Sequence, residues 1–166
     1  MYKYSLANNC IARAITAAGV PVTKEPVGLA RLDGKWPDKT CTLIPWQGGK
    51  PLTWDVTVVS TLADSYLHST SHSAGSAAET ASDRKEIKYS SLPPDFIFQP
   101  VAIETLGLLN ASALNFLSEV GRRLTSLSRD SRETLFLFQR PLNAHTALQL
   151  CSDYGLFCFS DEDPDL

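Results

Sequence analysis

A Gly-Gly pair set between two β-prone runs is the strongest constraint on this chain. Cys41 to Ile44 is β-branched and apolar, and Leu52 to Val59 is richer still in such residues. Gly48-Gly49 lies between them and supplies the positive φ that a tight reversal requires. The stretch predicts a β-hairpin. Asp38 stands at the mouth of the first arm and Asp55 inside the second. A carboxylate in so apolar a strand is costly unless something binds it. Two carboxylates gathered by one hairpin repel each other unless a divalent cation lies between them.

The flanking segments predict an α/β domain. Leu6 to Ala18 carries Ile11, Ala14, Ile15 and Ala18 at helical spacing, with Gly19 as the stop. Val20 to Val27 is a short strand candidate, interrupted by Pro21 and Pro26 and containing Glu25. Ser60 to Ser76 has no period and reads as a loop, with at most one helical turn over Thr61 to Leu67. Ala74, Ala77, Ala78 and Ala81 then share one helical face, and that face continues onto Lys85 and Lys88, with Tyr89 adjacent. Phe96 to Thr105 is a strand in which Pro100 marks an edge or a bulge. Asn110 or Ser112 caps a helix reaching Leu124, with Ala113, Leu117, Val120 and Leu124 inward and Arg122-Arg123 near its C-terminus. Arg132 to Gln139 is a further helix candidate.

The 166 residues suffice for one domain with a real core, assigned to residues 1–140, and residues 141–166 are expected to form a divergent, poorly ordered tail. There is no apolar run long enough to span a membrane, and the N-terminus lacks the layout of a signal peptide. The four cysteines show neither CxxC pairing nor zinc-finger spacing, so an intracellular setting is the expectation. A net charge of −3 gives no sign of nucleic-acid binding, although its distribution matters more than its sum.

Several residues have ordinary readings. Trp36, Trp46 and Trp54 are packing aromatics, and His68, His72 and His145 are surface residues. Asp55 can pair with a lysine at a strand end, Lys85 and Lys88 can form a solvated face, and Arg122-Arg123 can compensate a helix C-terminus.

Taken together, the order of elements and the Pro37-Asp38 … Asp55 spacing resemble the PD-(D/E)xK restriction-like nuclease core. The runs Glu25-Pro26-Val27-Gly28-Leu29, Asp33-Gly34-Lys35-Trp36-Pro37-Asp38, Pro45-Trp46, Trp54-Asp55-Val56-Thr57, Arg84-Lys85-Glu86-Ile87-Lys88-Tyr89, Glu104-Thr105-Leu106-Gly107 and Gly121-Arg122-Arg123-Leu124 resemble a more specific family. It is the C-terminal endonuclease region of retrotransposon polyproteins without long terminal repeats, and the likeness covers about Leu6 to Arg140.

The resemblance implies a restriction-endonuclease-like fold: a mixed central sheet flanked by helices, with a hairpin carrying the carboxylates. It implies that Asp38, Asp55 and Glu25 hold Mg²⁺ or Mn²⁺. The usual lysine two residues after the second carboxylate is replaced here by Thr57, and the family supplies its lysine from the following helix, which points to Lys85 with Lys88 as second candidate. Lys35, Tyr89, Arg122 and Arg123 are the candidate nucleic-acid contacts. The implied partner is double-stranded DNA in the nucleus, with element RNA reached through a reverse transcriptase region. The chain departs from the family in lacking its Cys/His-rich zinc motif, in carrying Tyr4 near a family His, and in passing to Pro141-Leu142-Asn143 where the family continues as an apolar helix. These departures suit a truncated or degenerate copy. The alternative is an inactive nuclease-fold module that binds nucleic acid or a partner.

Overall fold

The computed structural model describes residues 3–24 and 40–139. The expectations placed on Glu25, Lys35, Trp36, Asp38, His145 and residues 141–166 lie outside them.

The chain runs α1 (Lys3–Ala17), β1 (Val22–Lys24), β2 (Thr40–Thr42), β3 (Leu52–Val59), α2 (Asp64–His72), α3 (Ser76–Lys88), β4 (Ile97–Glu104) and α4 (Ala111–Ser128). Residues 133–139 are also helical. The four strands form one mixed sheet in the order β1-β2-β3-β4. β1, β2 and β3 pair antiparallel, whereas β3 and β4 pair parallel over eight residues from Leu52↔Ile97 to Val59↔Glu104. A parallel pair needs a long crossover, which α2 and α3 supply.

The hairpin follows the turn chemistry. Gly48 and Gly49 have φ of 58° and 76°, and Gln47 and Lys50 close the reversal by pairing with each other. Two successive positive φ values fit a type I′ turn, whose twist matches that of the strands it joins. Pro100 falls in β4, one of the two edge strands of the sheet among the described residues, where a missing N–H is tolerated.

Strand alternation gives the sheet two different faces. Leu52, Trp54 and Val56 of β3, with Val101 and Ile103 of β4, face α1 and α4 and form the main core with Ile11, Ile15, Phe116, Leu117 and Val120. The buried Trp54 indole donates to Asn8 Oδ1 at 2.7 Å, and Asn8 Nδ2 donates to Thr40 Oγ1 at 2.9 Å. The opposite face carries Asp55, Val59, Ala102 and Glu104 and is covered by α3 through Ala77, Ala78 and Ala81. Alanine lets the helix axis lie close to the sheet, because little side chain separates the two backbones.

α2 replaces the loop expected over Ser60 to Ser76. None of its residues is buried, so it carries no apolar stripe to betray it. Its hydroxyls bond back to its own carbonyls: Ser69 Oγ and Thr70 Oγ1 to Tyr66 O, and Ser71 Oγ to His68 O. Tertiary contacts hold it, with Thr70 Oγ1 donating to Thr61 O and Arg84 Nη1 donating to the Tyr66 hydroxyl.

α4 runs one turn further than expected, to Ser128, and its last turn has no basic residue. Compensation of a helix C-terminus therefore does not explain Arg122 and Arg123, which sit in its interior. Asn110 occupies the N-cap position, but its side chain makes no cap bond. It accepts instead from Ala102 N at 2.9 Å and donates to Ser82 Oγ and Ser112 Oγ.

Candidate functional site

β3 and α3 bring Asp55 and Lys85 together. Lys85 Nζ donates to Asp55 Oδ2 at 2.6 Å. Side-chain exposure is 5 % for Asp55 and 24 % for Lys85, so a carboxylate held inside the sheet meets an ammonium at the edge of solvent. The lysine stem lies along covered surface while its head stays partly wet.

Tyr89 follows α3 and is buried at 4 %. Its ring packs on Phe98 with centroids 4.6 Å apart, and Lys85 Nζ and Lys88 Nζ lie 5.9 and 5.0 Å from its centroid. A base cannot stack on a ring so covered. Tyr89, a candidate nucleic-acid contact in the sequence, instead lies beneath both ammonium groups with its π-face toward them. Lys88 is exposed and is not among Asp55's ion-pair partners, so of the two candidate lysines only Lys85 touches the carboxylate.

Arg122 and Arg123 are engaged elsewhere. Both donate to Glu119, which holds that carboxyl at about 2, below its ordinary range, through hydrogen bonds from Arg122 first and Arg123 second. Arg123 also stacks over the Trp46 ring at 3.7 Å and donates to Trp46 O, so it braces the turn end of the hairpin. Arg122 is 68 % exposed and keeps access to solvent.

Two site-forming residues carry no plain signal in the sequence. Glu104 has no exposed surface, and its Oε1 accepts from Ala77 N and Ala78 N at 3.1 and 3.2 Å while Oε2 accepts from Thr61 Oγ1. Asn110, equally buried, ties β4 to α3 through Ser82. A carboxylate at a strand end and an asparagine before a helix look like ordinary boundary residues. Only the position of α3 gives them partners.

Thr57, at the position of the usual lysine, follows Asp55 on the same strand face, and its Oγ1 is buried without a hydrogen-bond partner among the described residues. Its hydroxyl offers no positive charge, which leaves Lys85 as the cation at Asp55 among the described residues.

The fit to a divalent metal turns on the donor set. Among the described residues no group of three or more His, Cys, Asp and Glu converges. Asp55 brings one carboxylate, with Oδ2 taken by Lys85. Mg²⁺ is commonly held by one or two carboxylates plus substrate phosphates, so Asp55 alone suits half of such a site. Asp38 and Glu25, the residues that would complete it, lie outside the described region. His68 and His72 stack with ring centroids 4.9 Å apart on the exposed side of α2, and they belong to no such cluster.

A cavity of about 360 Å³ lies on the other side of the sheet, lined by Arg13, Ala14, Leu124, Leu127, Glu133 and Leu137 among others. It contains neither Asp55 nor a lysine of α3. Burial pushes the Cys41 thiol up, which makes it a poor nucleophile, and its Sγ donates to Thr42 O. The described helices include none long and apolar enough to cross a membrane. No family model, no curated protein and no solved structure matches this chain.

Proposed function

We propose that this chain is a restriction-like endonuclease domain of the retrotransposon type that nicks one strand of duplex DNA with Mg²⁺ or Mn²⁺. The observation that carries the reading is the ion pair between Asp55 and Lys85, 2.6 Å apart. It joins the second carboxylate of the hairpin to the helical lysine that the sequence resemblance assigns to catalysis. The order of described elements, helix, strand, hairpin, helices, strand and helix, also agrees with that resemblance.

Asp55, with Asp38 and Glu25, would hold the metal. When bound, it would polarise the scissile phosphate and lower the pKa of an attacking water. Asp55 is fixed by its strand and by Lys85, so it offers an oxygen whose position costs no reorganisation. Lys85, beside Asp55, would stabilise the negative charge that grows on the phosphorus oxygens. Its pairing with Asp55 orients the ammonium before DNA arrives, and the quarter of its side chain open to solvent is the route by which a phosphate reaches it. Arg122 is the remaining described candidate for a backbone contact, with its charge partly offset by Glu119.

Supercoiled plasmid incubated with and without Mg²⁺ tests this. Relaxed circles should form only with metal, and Lys85→Ala should lower the rate by about 10²–10³-fold, the usual cost of one such charge. Retarded but uncut plasmid would replace the nuclease reading with that of a binding module.

A further inference from the structure

We propose that Glu104 is a positioning residue for Lys85, acting through the whole length of α3. The inference rests on the nuclease reading for its meaning in catalysis, but its geometry stands independently.

Glu104 is fully buried, and an isolated carboxylate there would be strongly unfavourable. Its partners are the N–H groups of Ala77 and Ala78 and the Thr61 hydroxyl. Those two amides are among the orphan donors of a helix start, where negative charge is also favoured by the helix dipole. The N-cap residue, Gly75, has no side chain with which to satisfy them. Capping of α3 is thus delegated to β4, and the start of the helix is pinned to one point of the sheet.

The dimensions of helix and strand carry that pin to Lys85. From Ala77 to Lys85 the helix rises about 12 Å, at 1.5 Å per residue. Glu104 pairs with Val59 across the sheet. From Val59 back to Asp55 the strand spans about 13 Å, at roughly 3.3 Å per residue. The two lengths match, so a helix anchored at Glu104 arrives beside Asp55 at Lys85. Ala78 and Lys85 are one heptad apart, which leaves them only about 20° different in direction. A helix that slipped by one residue would move Lys85 by about 1.5 Å and turn it by roughly 100°. The Asn110–Ser82 bond, one turn before Lys85, fixes the same rotation at a second point.

The test labels lysines with a soluble amine-directed ester and reads each site by peptide mass spectrometry, with exposed Lys88 as internal reference. In Glu104→Gln, Lys85 labelling relative to Lys88 should rise about tenfold, the change expected when its ion pair weakens by ~1.4 kcal/mol. Nicking by the same variant should lose about 10- to 100-fold in kcat, because a misplaced group costs rate rather than binding. Affinity for duplex DNA without metal should be unchanged. A folded Glu104→Gln whose Lys85 labelling matches the wild type would overturn the proposal, and so would an equal rise at every lysine, which marks simple loss of stability. Raised Lys85 labelling in a protein whose wild type never nicks DNA would keep the positioning role and remove the nuclease reading. If Glu104→Gln does not fold, Thr61→Val removes one donor to the same carboxylate. It should raise the Lys85 ratio about twofold, since the helix dipole contacts remain, and an unchanged ratio there would overturn the proposal.

Discussion

Replacing Lys85 by methionine keeps most of the apolar stem and removes the ammonium, so it isolates the charge. The cost follows from what is left behind. Asp55 is 5 % exposed and would lose its cation. Removing one partner of a fully buried pair costs about 3–5 kcal/mol, whereas an exposed pair is worth about 0–1 kcal/mol. Lys85 is 24 % exposed, so water can enter where its head stood, and the expected loss is intermediate, about 2–3 kcal/mol. For a chain of this size that lowers Tm by about 4–12 °C. Asp55→Asn should cost less, about 1 kcal/mol, because the freed ammonium can turn to solvent. The double variant should then be more stable than the two single losses add up to, with a coupling of about 1–2 kcal/mol. Urea unfolding of the four proteins, followed by circular dichroism at pH 7, measures the cycle. The coupling should survive high salt, since a largely buried pair is screened little. A Lys85→Met protein within about 0.5 kcal/mol of wild type would refute the reasoning, because surface substitutions fall in that range. Such a result would mean that the pair behaves as a solvated one and that Asp55 is not confined by its burial.

Three further outcomes are expected. Gly121 lies where α4 meets the following helical segment, and a Cβ there would come within 2.6 Å of Thr134 Oγ1 and 2.9 Å of its Cα. Gly121→Ala should therefore cost about 1–3 kcal/mol in chemical denaturation, as overpacking does, and pairing it with Thr134→Gly should recover part of the loss. Arg123→Ala should destabilise more than Arg122→Ala in thermal melts, because only Arg123 also covers Trp46. Glu119 is held at about 2 in the folded protein against an ordinary 4.5, so its stabilisation is present above 4.5 and is lost as pH falls through about 2. Its side chain is 35 % exposed, so screening keeps the effect small. Glu119→Gln should cost ~0.5 kcal/mol at pH 7 and nothing at the acid limit. A difference that persists undiminished below that point would show that the two arginines are not its source.

What could be read from the sequence was local. Gly48-Gly49 specifies its own turn, and the spacing of Ala77, Ala78 and Ala81 specifies its own face, which is why the hairpin and the α3 stripe leading to Lys85 were legible. α2 was not, because a helix with no buried residue has no period to detect. Tyr89 and Arg123 carry groups that suit nucleic acid equally well, and their real neighbours, Phe98 and Trp46, come from distant segments. Glu104 illustrates the same limit: its amide partners lie 27 and 26 residues earlier, beyond the reach of any pattern along the chain.

The parallel pairing of β3 with β4 has a kinetic consequence. The hairpin closes through Gln47 and Lys50, which flank Gly48-Gly49, whereas Asp55 and Lys85 are 30 residues apart. Closing the longer loop loses more chain entropy before any contact offsets it, so the hairpin belongs to the early part of folding and the ion pair to the late part. In a denaturant chevron, substitution of Gly49 should slow refolding, whereas Lys85→Met should mainly speed unfolding. The carboxylate would thus enter its strand before its cation exists nearby. The domain would pass over its highest barrier with Asp55 still hydrated and become dry there only on the native side.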